Sequence, residues 1–368
     1  MINKFKKIVI KIGSSSIVDE KNKKIKASWL RSICADIQSI HHNKEIIIVC
    51  SGAIALGTKF INNKKPIRRL EDKQAAAAIG QIELAKCWQQ ALKKNKIQTA
   101  QILLTLDDSE IRRRYLNVRK TINALHKKKI IPIINENDSV ATEEIRFGDN
   151  DRLASRVAQM IDAELLILLS DVDGLYSDSP KKNKNAKKIY EVFKVDSKIE
   201  KMVNKKLSNF GTGGMATKIW AAKICMNSGC STVISSSNKD RPLLDISKQN
   251  STWFNAKKTP KSNRKQWLLN HLHPSGSIIV DRGALKALAN NKSLLPAGVI
   301  EIKGRFNRGD VISILSEKNV KLGIGIIAYD SSDAKSIMGK NSNDIKNILG
   351  YEGRDELIHK DDLVKVSQ

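Results

Sequence analysis

The sequence predicts an α/β protein: a three-layer αβα sandwich on a mainly parallel sheet, with a small β-barrel after it. Three observations predict this. Four near-continuous apolar runs, FKKIVIK, EIIIVC, KIIPIIN and ELLILLS, recur within the first 170 residues, as expected for strands covered on both faces. Helical-period stretches separate them, the alternation of a parallel sheet with helical crossovers. From Gly276 the pattern changes to short strands punctuated by Gly283, Gly298, Gly304, Gly309 and Gly323, which reads as a small barrel. The expected divisions are 1–258 for the sandwich, 259–275 for a linker, 276–354 for the barrel and 355–368 for a tail.

Composition narrows the classes. With 368 residues and 41% apolar content, the chain can fill two cores. No apolar run approaches the ~20 residues of a membrane span, and Met1–Lys7 has no signal-peptide pattern. Five scattered cysteines without a CxxC pair suggest neither a disulfide framework nor a zinc site. A cytoplasmic, reduced protein is expected. The formal charge of +27 invites a nucleic-acid reading. However, residues 276–368 are close to neutral, and lysine is abundant even in loops such as 181–188. Lysine drift on solvated faces explains the charge better, although the field would favour an anionic substrate.

The elements follow in order. Phe5–Lys11 is a strand ending in Ile12-Gly13-Ser14-Ser15-Ser16, a turn whose small residues leave backbone donors accessible. Lys11 stands where open α/β sheets place their ligands; taken alone, it is an ordinary strand-end lysine. Ala27–Ile40 is helical. Glu45–Cys50 is a strand followed by Ser51-Gly52, with Ser51 either a helix cap or a contact to a substrate carboxylate. Asp72–Lys94 is a long helix whose small residues, Ala75–Ala78 and Gly80, suggest tight packing or room for a ligand. Gln98–Leu104 is a strand, and Asp108–Lys127 an arginine-rich helix on a solvated or subunit-facing surface. Lys129–Asn135 is a strand leading into Glu136-Asn137-Asp138. Residues 143–151 read as a hairpin returning Gly148-Asp149-Asn150-Asp151 over the strand end. Arg152–Ile161 is a helix and Glu164–Ser170 a strand, followed by Asp171-Val172-Asp173-Gly174. Ser231–Ser235 closes the sheet. Trp253–His273 reads as a mixed linker; its His271 and His273 lack a third ligand and read as solvated.

Before that closing strand lies Gly211-Thr212-Gly213-Gly214-Met215-Ala216-Thr217-Lys218, a glycine loop feeding a helix. Glycines let backbone N–H groups approach an anion, and a helix start adds unpaired donors. The spacing fails the P-loop template, whose second glycine falls on Ala216 and whose lysine falls on Thr217. Together, these turns assemble two lysines, backbone donors and carboxylates at one sheet edge, the inventory of phosphoryl transfer. An aspartate between the lysines would keep both charged. No Ser-His-Asp or Cys-His set is visible, so direct transfer is expected rather than a covalent intermediate.

In this order KIGSSS, SGAIALG, INENDSVA, GDND, LLSDVDGLY and GTGGMATK resemble the amino acid kinase family. Within it, they resemble the branch that phosphorylates the side-chain carboxylate of L-glutamate for proline synthesis. Residues 276–354, with SLLPAG and FNRGD, resemble the PUA domain. The resemblance implies that Lys11 contacts the transferred phosphate, and that Ser51, Asp138 and Asn150 bind glutamate. It implies a nucleotide site from Lys11, Ser170, Asp171 and residues Thr212, Gly213, Gly214, Met215, Ala216, Thr217 and Lys218. Lys218 would stabilise the moving phosphoryl group and Asp151 would orient the two lysines. ATP with Mg2+ is implied, without dedicated protein metal ligands. Feedback inhibition by proline, contact with the next proline-pathway enzyme and a homo-oligomer are further implications. Arg152 and Ala154 stand where the family leads one to expect Asn and Ser. Two other readings remain open: a kinase of the same fold for another small acid or carbamate, and an RNA-binding protein using the barrel.

Overall fold

A computed structural model describes residues 2–19, 21–61, 69–140, 150–178, 180, 183, 185–204, 214–257, 259–260 and 274–365. Of the expected hairpin over 143–151, residues 143–149, with Gly148 and Asp149, lie outside these residues, and Asn150 and Asp151 begin a helix instead. Gly211, Thr212, Gly213, His271 and His273 also lie outside them. The chain divides into two compact units, 1–261 and 262–368.

The first unit is built on an eight-stranded sheet. Its strands are β1 (Lys7–Ile12), β2 (Glu45–Cys50), β3 (Thr99–Leu104), β4 (Ile131–Glu136), β5 (Leu165–Ser170), β6 (Glu191–Val192), β7 (Ser231–Ser236) and β8 (Thr252–Phe254). They lie in the order β6-β8-β7-β5-β1-β2-β4-β3. The six strands from β7 to β3 run parallel, and β8 is antiparallel to β7. Every apolar run read from the sequence forms one of the central strands.

Period-2 alternation sends these residues to two cores. Ile8, Ile10, Ile48 and Ile167 face one layer with Ile33, Ile37, Leu84 and Trp88. These come from helices α1 (Ala27–Ile40) and α3 (Leu70–Lys94), and α2 (Ala53–Ile61) adds Ala53 and Leu56. Val9, Val49, Leu166 and Leu168 face the other with Ile122, Val157 and Ala221. That layer is α4 (Arg112–Lys127), α5 (Asn150–Met160) and α6 (Met215–Asn227). Two covered faces make the three-layer sandwich.

The small residues of α3 mark packing against α2. A Cβ on Gly80 would stand 1.8 Å from the Ala53 carbonyl oxygen, and one on Gly57 equally close to that of Ala76. The two backbones therefore touch. Gly80→Ala gains about 1 kcal/mol of helix propensity. It also forces the helices apart, and overpacking typically costs about 1–3 kcal/mol or more. Because the clash is with backbone, the cost wins, and a lower melting temperature is expected. A thermal melt equal to the parent's would show that the helices separate freely.

Three expectations need correction. The helix read over 108–127 is two helices, Leu106–Glu110 and α4. Asp108 accepts from the Thr105 N–H at 2.7 Å and hydroxyl at 2.9 Å, fixing an earlier start, and Ile111 is extended between the two. The stretch read as a linker from Trp253 begins inside the sheet, because Trp253 and Phe254 are buried in β8. The tail read from 355 carries core residues Leu357 and Ile358 and an edge strand.

The second unit has five strands, β9 (Gly276–Val280), β10 (Val299–Gly304), β11 (Val311–Ser316), β12 (Lys321–Ile326) and β13 (Leu363–Lys365). They are ordered β10-β9-β11-β12-β13. It also holds helices that glycine spacing did not reveal, Arg282–Ala289 and Ser331–Ile337. Asp281 caps the first through the Ala284 N–H, and Asp330 the second through the Ser332 and Asp333 N–H groups. No described helix is long and apolar enough to cross a membrane.

Candidate active site

The carboxyl edge of the central strands carries the chemistry. Lys11 is the penultimate residue of β1, beside Val49 and Leu168. It follows Val9 by two, so it faces the α5–α6 layer. Asp151 lies in the first turn of α5, where a carboxylate is favoured by the helix dipole. Lys218 lies in the first turn of α6. The three meet: Lys11 Nζ is 2.6 Å from Asp151 Oδ1, and Lys218 Nζ is 2.9 Å from Oδ2. The Asp151 side chain is 1% exposed and each lysine 8%. Thr217 donates its hydroxyl to Asp151 Oδ2 at 3.0 Å and accepts from the Gly214 N–H at 3.3 Å.

Burial alone would raise the Asp151 pKa. The charges of Lys11 and Lys218 overturn that, with their hydrogen bonds, and hold the carboxyl well below the usual range. The group is two cations sharing one anion, a buried centre of net positive charge. It can attract and orient an anion, and Asp151 is too acidic and too fully engaged to act as a base.

A polar chain lies on the neighbouring strands. Asn150 Nδ2 lies 2.9 Å from the Cys50 carbonyl, 2.8 Å from Ser51 Oγ and 2.8 Å from Asn135 Oδ1. Its two hydrogens face three acceptors, while its buried Oδ1 has no partner among the described residues, and such groups call for an explanation. Asn135 in turn donates to Gln81 Oε1 at 2.6 Å. Asp138, two residues beyond β4, is 9% exposed, and burial pushes its carboxyl up to about 6. Ser170 donates to Asp171 Oδ1 at 2.9 Å at the end of β5. Ser16, in the turn after β1, donates to Ser237 Oγ at 2.7 Å, and the Ser237 N–H donates to the Ser170 carbonyl at 2.7 Å. The β1 turn is thereby tied to the ends of β5 and β7.

Several expected residues thus come together: Lys11, Asp151, Thr217 and Lys218 in one cluster, Ser51 and Asn150 in another. Ser170 and Asp171 pair with each other. Gly214, Met215 and Ala216 form the start of α6, with Met215 packed on the core. Thr212 and Gly213 lie outside the described residues. Sequence reading missed Asn135 and Gln81 as partners. Asn135 carried a signal, an amide closing an apolar strand; Gln81 carried none.

The residues fit a polyphosphate. Gly13 has nothing closer than 3.8 Å to a notional Cβ, and Gly214 nothing within 4 Å. Neither has positive φ. Among the described residues no atom requires these glycines, whereas a closely approaching ligand would. Among the described residues no group of three or more His, Cys, Asp or Glu side chains gathers. A Mg2+ would be held chiefly by ATP phosphates.

The model of the Amino acid kinase family matches residues 6–236, and that of the PUA domain matches residues 276–349. The chain is similar to proteins named Glutamate 5-kinase. It is 48% identical to that of Paramagnetospirillum magneticum over 361 residues, 98% of this chain and 97% of the relative. It is 49% identical to that of Pelagibacter ubique over 361 residues, 98% of each chain. It is 47% identical to that of Rhodopseudomonas palustris over 365 residues, 99% of this chain and 97% of the relative.

Proposed function

The chain belongs to the amino acid kinase family, and from that premise we propose that it transfers the γ-phosphate of ATP to the side-chain carboxylate of L-glutamate. The product is L-glutamyl 5-phosphate, the first step of proline synthesis. The Lys11–Asp151–Lys218 bridge carries this reading, with the full-length likeness to glutamate 5-kinases supplying the acceptor.

A carboxylate is already ionised at neutral pH, so the acceptor needs no general base. One glutamate side-chain oxygen attacks the γ-phosphorus, the bond to the β-phosphate oxygen breaks, and ADP leaves without a proton transfer. The protein's work is positioning and charge stabilisation. Lys11 and Lys218 supply donors to the transferring group from inside the site. Asp151 holds both ammonium groups in place and charged. Mg2+ held by the ATP phosphates would supply neutralising positive charge there. Gly13 and Gly214, with Thr212 and Gly213 of the glycine-rich motif, admit the nucleotide phosphates. Ser170 and Asp171 contact the nucleotide beside them, and Met215, Ala216 and Thr217 line its site from the start of α6. Ser51 and Asn150 hold glutamate, with the unpartnered Asn150 Oδ1 as an acceptor, and Asp138 offers a carboxylate to its ammonium.

Asp138 gives this reading a pH signature. Protonation near pH 6 removes the charge that would pair with the ammonium. The KM for glutamate should therefore rise as pH falls through 6, by about tenfold per unit once protonation dominates. Asp138→Asn should raise KM at pH 7.5 and flatten that profile. The linked stability runs the other way. A raised carboxyl pKa favours the fold below about 4, the unfolded value, and that contribution is lost as pH rises through 6. A KM that is constant from pH 5 to 7.5 would remove Asp138 from the glutamate site.

Coupled ADP release with glutamate, aspartate, N-acetylglutamate and carbamate as acceptors tests the assignment. Turnover with glutamate is expected, and turnover with another acceptor alone would overturn it. Proline competing with glutamate, a cytoplasmic homo-oligomer and hand-over of the acyl phosphate to the next enzyme belong to the same reading. Proline titration at low and high glutamate tests the first of these.

A further inference from the structure

We propose that Trp220, with Arg152 and Arg156 stacked on it, clamps α5 to α6 and so sets the distance at which Lys218 meets Asp151. This rests on the kinase reading above. The Arg152 guanidinium carbon lies 5.1 Å from the Trp220 ring centroid, and that of Arg156 lies 5.9 Å away. The two arginines are four apart on α5, one helical turn, so both reach a single ring. Cations over an indole face are attracted by its quadrupole, and the flat guanidinium stacks well.

The placement points to function. Arg152 directly follows Asp151, and Trp220 follows Lys218 by two, so the clamp spans the two residues whose side chains form the 2.9 Å ion pair. The two helices pack together, and both bury small or medium side chains in one core, Val157 and Ala158 from α5 and Ala221 and Ala222 from α6. Side chains of this size resist a slide less than interlocking large ones would. The Trp220 ring is 37% exposed, so apolar burial is not its whole role. Glu110 Oε1 also lies 3.8 Å from Arg156 Nη2, an ion pair at the same arginine.

Trp220, Arg152 and Arg156 would act through Lys218 and Asp151 as positioning residues. A slide of α6 against α5 lengthens the Lys218–Asp151 contact and moves the ammonium off the transferring phosphoryl group. That loss falls on the transition state, so it appears in kcat and not in KM.

The test is Trp220→Ala, Trp220→Phe, Arg152→Met and the double variant Arg152→Met/Trp220→Ala in the full chain. Trp220→Ala should lower kcat about tenfold, with KM for ATP and glutamate within about twofold. Trp220→Phe should restore most of the rate, since a ring face is kept. The double variant should be no worse than Trp220→Ala. Amide hydrogen exchange should accelerate in residues 215–219 of Trp220→Ala. Three results would overturn the proposal: a Trp220→Ala kcat within about twofold of the parent, equal losses in the Phe and Ala variants, or multiplying losses in the double variant. A parent that fails to phosphorylate glutamate would sink the kinase reading alone. The exchange measurement would then decide the clamp, and unchanged exchange at 215–219 would end it.

Discussion

Lys218→Ala is expected to lower kcat by about 10²–10³-fold while leaving KM for glutamate nearly unchanged. The physical ground is where the ammonium sits. It is a buried cation, 8% exposed, held at 2.9 Å from a carboxylate that stays ionised. Low polarisability around it strengthens its interaction with charge developing on the transferring phosphoryl group. The substituted chain should still fold, because Asp151 keeps Lys11 at 2.6 Å and the Thr217 hydroxyl at 3.0 Å. Steady-state ADP release gives the two constants. A loss confined to KM would move Lys218 from the moving phosphate to ground-state binding. Full turnover would remove it from the site.

The second large effect is on stability. Asp151→Asn leaves two buried ammonium groups facing a neutral amide, and breaking a buried ion pair by removing one partner costs about 3–5 kcal/mol. The variant should melt well below the parent at neutral pH. ATP supplies the missing negative charge, so it should raise the variant's melting temperature more than the parent's. In the parent the lowered Asp151 pKa contributes stability above about 4, the unfolded value, and it is lost as pH falls further below it. Denaturant unfolding of both proteins from pH 3 to 9 checks the signs. Equal stability at neutral pH would mean that water already neutralises this centre.

The central sheet was legible because its strands are buried on both faces and therefore apolar throughout; Glu45–Cys50 and Ala27–Ile40 fall on their expected bounds. The edge was not. Glu191–Val192 and Thr252–Phe254 are short, and nothing in their pattern separates them from loops. The break at Ile111 is a backbone event between two helical stretches and leaves no period change. In the second unit frequent glycines masked helices whose start signals, Asp281 and Asp330, were present in the sequence. At the site, the residues of the charged bridge were legible through motif order and chemical inventory. The Asn150–Asn135–Gln81 chain was not, because Gln81 and Asn135 are 54 residues apart and meet only once α3 packs beside the sheet.

The backbone contact between α2 and α3 has a consequence for specificity. Gly80 immediately precedes Gln81, whose amide oxygen anchors Asn135 and through it Asn150, the amide proposed to hold glutamate. In that proposal the two missing side chains, at 57 and 80, act as a spacer gauge for the acceptor site. Stepping either position from glycine to alanine to serine would widen the helix gap in small increments and shift Gln81 with it. The order in which differently sized acids lose affinity along that series would calibrate the site's width from outside it.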